Sequence, residues 1–225
     1  MIIMAFDLSS TCIGVTFAEV SMTSKKITYG KTLPIIPEEL DPRELGYTTK
    51  QEKKVAFNGK EFKGFLREGE FSISMAEADR RRRYIKNYRH NYLLRNIGKQ
   101  CGKFLNKIKP EVIIIERNSS FNGILTTKLL AEIAGGLYFY AGAHGIQLFD
   151  YPESTVRAKI RKDITEFSYE QDGKKAVDTK WEIYCRLRSY FEKEHPGTFD
   201  FKTMTMDESD SLATFYHYYT TEVLT

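Results

Sequence analysis

The chain has 225 residues, 41% of them hydrophobic and 28% charged, with a formal net charge of +4. That is enough for one α/β domain with a real core and too little for two large ones, and the composition is that of a soluble globular protein. No apolar run approaches the roughly 20 residues of a membrane span, and MIIMAF at the start is too short and lacks the basic flank of a signal peptide. Cys12, Cys101 and Cys185 are odd in number and widely spaced, so they make neither a zinc site nor a disulfide framework and read as reduced thiols of a cytoplasmic protein.

Residues 2–6 and 13–20 are apolar, β-branched runs joined through Asp7-Leu-Ser-Ser-Thr, which reads as a hairpin or a strand with a polar bend. Lys26 to Ile36 supplies a third strand. Residues 38–74 carry Pro42, isolated glycines and mixed charge without sustained periodicity, and read as an irregular insertion with short strands around Lys54–Phe57 and Glu61–Leu66. From about Met75 to Ile108 the pattern becomes helical, with apolar residues recurring at three- and four-residue steps, and its Arg80–Ile108 stretch alone would be roughly 40 Å long. Between Arg80 and Pro110 there is no acidic residue, while Arg80, Arg81, Arg82, Arg83, Lys86, Arg89, Arg95, Lys99, Lys103, Lys107 and Lys109 all fall there. Such a lopsided field attracts a polyanion; its plainer reading is a solvated helix face.

Glu111–Glu116 contains Val-Ile-Ile-Ile, a run expected of a strand buried on both faces. A helix follows over Ile124–Ala143, closed by Gly145, then a strand over Ile146–Tyr151 stopped by Pro152. Further helices run over Lys180–Glu194 and from about Met206 to the end. This helix–strand alternation argues for an α/β fold in which helices cover a mixed sheet.

Four acids stand at the ends of these runs: Asp7 and Glu116 where β-branched segments stop, and Asp207 and Asp210 at a helix start, i and i+3 on one face. Each has a plain reading. Glu116 pairs with a neighbour such as Arg117, and the two aspartates cap the helix. Glu208, about a hundred degrees around the helix, reads as solvated. If the fold gathers the four acids, their repulsion requires divalent cations, the setting for phosphodiester hydrolysis. Asp7 with Ser9, Ser10 and Thr11 also resembles the phosphate hairpin of actin-like ATPases, but 225 residues leave no room for the second domain that fold needs. His217 is either a general base or an ordinary core or surface histidine.

Asp7 in an N-terminal strand, Glu116 closing a later apolar strand and the Asp207-x-x-Asp210-Ser-Leu-Ala helix, in this order and at these separations, resemble the RuvC family of Holliday-junction resolvases. The likeness is closest to its divergent, phage-type members and covers most of the chain except about 38–75. It implies one RNase H-like nuclease domain over 1–225, an α/β fold with a mixed five-stranded sheet flanked by helices and an insertion at about 38–75. It also implies a homodimer working in the cytoplasm, of a bacterial host if phage-encoded. Asp7, Glu116, Asp207 and Asp210 look like ligands of two Mg²⁺, with Mn²⁺ as a substitute, for symmetric nicking of four-way DNA that leaves 5′-phosphate and 3′-hydroxyl ends. Arg157 and Lys180 look like the residues holding backbone phosphates, with Lys159, Lys174 and Lys175 as further candidates beside the Arg80–Arg83, Lys86 and Arg89 group. The family's base-probing aromatic aligns with Ser119; Phe121, two residues on, is either that wedge or a core residue. Leu130, Ala131, Ala134 and Leu137 lie on the helix that meets its copy across the family's dimer axis, or else pack on the sheet. A general branched-DNA nuclease and a non-catalytic junction-binding protein are the alternatives.

Overall fold

The computed structural model describes residues 1–9, 12–48, 53–57, 60–70, 73–117, 124–168 and 179–225. It divides into two compact units, Met1–Ile36 with Gly98–Thr225, and Pro37–Ile97.

The first unit is built on a mixed five-stranded sheet. Strand β1 (Ile2–Asp7) pairs antiparallel with β2 (Ile13–Ser21), and β2 with β3 (Lys26–Ile35). The hairpin reading of the first two runs therefore holds. In the second unit, β4 (Lys53–Phe57) and β5 (Lys60–Gly64) form a separate antiparallel pair. On the other side of β1 the sheet turns parallel, through β6 (Val112–Arg117) and then β7 (Gln147–Pro152), giving the order β3-β2-β1-β6-β7. This is the mixed, helix-flanked sheet expected of an RNase H-like fold. Val112, Ile113, Ile114 and Ile115 are all at most 2% exposed, as a central parallel strand requires. Each such side chain contributes about 1.5–3 kcal/mol through burial.

Helix α1 (Met75–Ile108) covers the stretch read as helical, and the Ser74 hydroxyl accepts from the Glu77 amide and caps its start. Lys109, in the left-handed region at φ 53°, ends it just before Pro110. Helix α2 (Ile124–His144) presents Leu129, Ile133, Leu137 and Ala141 to the interior.

A helix not anticipated from the sequence follows β7 directly: α3 (Glu153–Asp163). Pro152 reads as a stop, yet a proline is equally at home just before a helix, where no intrahelical N–H is needed. Val156 and Ile160, one turn apart and fully buried, hold α3 down. Helices α4 (Thr179–Glu194) and α5 (Met206–Tyr218) complete this layer, packing Leu187, Phe191, Leu212 and Phe215 with Ile3, Ala5 and Ile114 in one core. Among the described residues no helix is long and apolar enough to cross a membrane.

In the second unit, Tyr47, Phe65 and Ile85 form a small core. Arg81 is 8% exposed beside it. Its guanidinium donates to both Glu70 carboxylate oxygens, to Glu77 Oε1 at 2.7 Å and to the Phe65 carbonyl at 3.0 Å.

Candidate active site

Asp7 is the last residue of β1, where it lies opposite Glu116 on parallel β6 and opposite Gly14 on antiparallel β2. Strand pairing alone therefore sets two carboxylates side by side at one end of the sheet. Gly14 brings in the third element. A Cβ at Gly14 would stand 1.9 Å from the Asp207 carbonyl oxygen, so only glycine lets the first turn of α5 lie directly on β2. The ligand oxygens of Asp7, Asp207 and Asp210 consequently all lie within 4.8 Å of one another. Glu116, one strand over, is not part of that closest group but faces the same end and is 4% exposed. The Thr214 hydroxyl, one turn beyond Asp210, sits 3.1 Å from Glu116 Oε2 and donates to it or to the Asp210 carbonyl.

Neither aspartate is needed as a helix cap. Thr205 is the N-cap of α5, its hydroxyl accepting from the Glu208 amide, while Glu208 Oε2 accepts from the Thr205 amide at 2.8 Å. This corrects the reading of Glu208 as a solvated bystander. It is 6% exposed and locked in the cap, which leaves Asp207 and Asp210 available to the site.

The electrostatics are those of carboxylates held against their preference. Burial, then the charge of Asp210, pushes Asp7 up to about 7, with Lys180 opposing. Burial and the charges of Asp7, Asp210 and Glu153 push Glu116 up to about 9. Asp210 is also raised by burial, against the pull of Lys180 and Arg157. Lys180 on α4 lies 2.5 Å from Asp210 and 3.6 Å from Asp207. Burial works against its charge, but the hydrogen bond and charge of Asp210, with Asp7 and Asp207, outweigh this and raise its pKa. Arg157 on α3 reaches Asp210 at 3.7 Å while Glu153 holds it at 2.6 Å. Lys180 and Arg157, the latter shared with Glu153, thus face Asp7, Glu116, Asp207 and Asp210, and the acids outnumber the cations. An all-oxygen donor set of this kind suits hard divalent cations such as Mg²⁺ or Mn²⁺.

Glu153, Thr214 and Gly14 were invisible as site residues in the sequence. For Gly14 one signal existed, a glycine inside a β-branched strand, which marks a close approach. Cys12, beside Asp207, has its thiol pushed up to about 12 by burial and by that carboxylate, so it stays protonated and is no nucleophile. His217 is 6% exposed with its ring edge-on to Tyr151 at 4.4 Å, and burial lowers its pKa; it is a core histidine.

The structure sorts the expected DNA-contacting cations. Arg157 and Lys180 are at the carboxylates, whereas Lys159 is paired with Asp163 at 2.8 Å. Arg80, Arg82, Arg83, Lys86 and Arg89 are exposed on α1, with Arg80 bridging Glu77 and Arg82 near Asp79. Arg81 must be withdrawn from that group, since its guanidinium is buried and fully engaged within its own unit. Phe121, Lys174 and Lys175 lie outside the described residues. Leu130, Ala131 and Ala134 line a cavity of about 210 Å³ together with Leu8, Ile115 and Glu116. Leu137 is 3% exposed, buried within the chain's own core.

No protein-family model matches the chain, and no curated protein matches it in sequence. Among solved structures, it is similar to Thermus thermophilus RuvC in complex with a Holliday junction substrate, at 13% identity and TM-score 0.48, over 95% of this chain and 90% of that one. It is likewise similar to yeast mitochondrial Holliday junction resolvase Ydc2, at 10% identity and TM-score 0.47, over 96% and 77% of the two chains. A third similarity is to fowlpox virus resolvase with its Holliday junction DNA, at 11% identity and TM-score 0.45, over 98% and 97%.

Proposed function

We propose that this chain is a divalent-metal-dependent endonuclease that resolves four-way DNA junctions by paired nicks. The observation that carries the reading is the gathering of Asp7, Asp207 and Asp210 within 4.8 Å beside buried Glu116, when α5 is already capped by other residues. Structural ion pairs satisfy their charges, and these carboxylates are left partly unsatisfied. They are the residues that would hold two Mg²⁺ ions, or Mn²⁺ in their place. Bound there, the cations would supply an activated water and electrostatic stabilisation of the charge developing on the phosphodiester. The chain's own cations do the rest: Lys180 and Arg157, at the edge of the carboxylates, bind the flanking phosphate oxygens and hold the strand in register without reading its sequence. Cleavage by this chemistry leaves 5′-phosphate and 3′-hydroxyl ends. A homodimer places two such sites on one junction, and exposed Phe139 beside Gly135 and Gly136 on α2 offers a surface for that association.

The test is cleavage of end-labelled four-way junctions, forks, flaps and linear duplex with Mg²⁺, alongside the Asp7→Asn protein. Paired nicks confined to the four-way junction and absent from the variant are expected. Cutting of every branched substrate would make the protein a general branch nuclease. Tight junction binding with no metal-dependent cutting would leave a binding protein only.

A further inference from the structure

The outer face of α1 in the Pro37–Ile97 unit has no role in the chemistry above. At 100° per residue, Arg80, Tyr84, Asn87, Asn91 and Arg95 fall within about 80° of arc, a stripe close to 22 Å long, with Arg83 and Tyr88 at its margins. All seven are exposed. Tyr84 and Tyr88 are 53% and 41% exposed, their rings 6.2 Å apart and tilted by 40°. The arc from about 100° to 160° on the same helix, beyond Tyr88, carries Ala78, Arg81 and Ile85 into the unit's interior, while the stripe itself is exposed. Large aromatics are poorly suited to a merely solvated face, and amides and guanidinia between them add donors and acceptors of base-edge and phosphate type. Glu77, on the same arc, neutralises Arg80, but no acidic residue follows on the helix as far as Pro110, so the field along the Arg83–Arg95 part of this face favours an anion.

We propose that this stripe binds an unpaired DNA strand, with bases stacking on Tyr84 and Tyr88 and phosphates held by Arg83 and Arg95. Duplex DNA, whose base faces are covered, would gain only the phosphate part. The proposal deepens the nuclease reading by adding a second, single-strand contact outside the carboxylate site, but its chemistry does not depend on cleavage.

The experiment uses the full chain carrying Asp7→Asn, in EDTA at fixed salt, and measures anisotropy of a labelled dT oligomer of about 20 nucleotides, longer than one binding site, and of a duplex of the same length. The double variant Tyr84→Ala/Tyr88→Ala should weaken dT binding by roughly tenfold to a hundredfold and duplex binding by no more than about threefold. Tyr84→Phe/Tyr88→Phe should restore dT binding, because the rings and not the hydroxyls stack. Equal loss for both DNAs, no loss at all, or failure of the phenylalanine pair to rescue would each overturn the proposal. If the wild type cuts no branched DNA while the ring-dependent dT binding persists, the nuclease reading fails and this one stands. The reverse pattern sinks this one alone.

Discussion

Two regions of the molecule bury charge, and they do so with opposite results. In the Pro37–Ile97 unit, Arg81 is surrounded by Glu70, Glu77 and the Phe65 carbonyl, and hydrogen bonds from Arg81 and from the Arg67 amide hold Glu70 down at about 2. At the end of the sheet, Asp7 and Glu116 are pushed up to about 7 and about 9 by burial and mutual repulsion. The first cluster is complete within the chain. The second is missing positive charge that Lys180 and Arg157 do not make up. Charge that the fold satisfies serves the fold, and charge that it leaves unsatisfied marks where something must bind.

Removing one unsatisfied charge should separate stability from activity most sharply. Glu116→Gln keeps the volume and the Thr214 contact but removes a desolvated, repelled carboxylate. Junction cleavage should fall by roughly 10³-fold or more, the scale of losing a group that acts in the transition state. Metal-free thermal unfolding should move the other way, with Tm rising by about 2–4 °C, the effect of about 1 kcal/mol in a chain of this size. A metal-free Tm that falls would break the comparison.

The satisfied cluster should respond inversely. Arg81→Met fills the volume but leaves Glu70 and Glu77 without their shared partner. Losing one member of a buried pair costs about 3–5 kcal/mol, and because these carboxylates are 30% and 24% exposed the expected loss is nearer 2 kcal/mol. Urea unfolding would measure it. Mg²⁺ affinity at the carboxylate site should be unchanged in the same protein, which distinguishes a local structural role from one in the site.

How far the two clusters could be told apart from sequence follows from which contacts are local. The strand ends bearing Asp7 and Glu116 were legible because β-branched runs announce buried strands, and a charge that ends one has to leave the core. Asp207 and Asp210 are legible as a pair, but the sequence alone is equally consistent with capping, a role that Thr205 and Glu208 fill in the structure. Arg81 hid among four consecutive arginines, although its spacing from Ala78 and Ile85 puts it on the buried face. Gly14, Thr214 and Glu153 are set by contacts between residues far apart in the chain, between a strand and a helix, a helix and a strand end, and a helix start and the carboxylates Asp7, Glu116 and Asp210. Beyond the glycine inside a β-branched strand at Gly14, no local pattern carries those. The helix at Glu153–Asp163 is hidden because Pro152 reads as a terminator where it stands as a lead-in.

The smallest expected effect tests the comparison through pH. Glu70, with its folded-state pKa depressed to about 2, adds stability that is fully present above the unfolded value of 4.5 and is lost as pH falls toward 2. Asp7 and Glu116 have the opposite sign. Their folded-state values lie above 3.8 and 4.5, so between about pH 4 and 9 the metal-free folded chain binds protons that the unfolded chain has released. Stability from these two groups therefore drops as pH rises through that window. A divalent cation occupies the site only as those protons leave, so its binding strengthens with pH and offsets the same loss. The rise in Tm on adding Mg²⁺ should be about 2–4 °C larger at pH 8 than at pH 6, and Glu116→Gln should shrink the difference. Equal Mg²⁺ effects at both pH values would mean that the carboxylates already share their charge as fully as Arg81 and its partners do, and the distinction between the two clusters would fail.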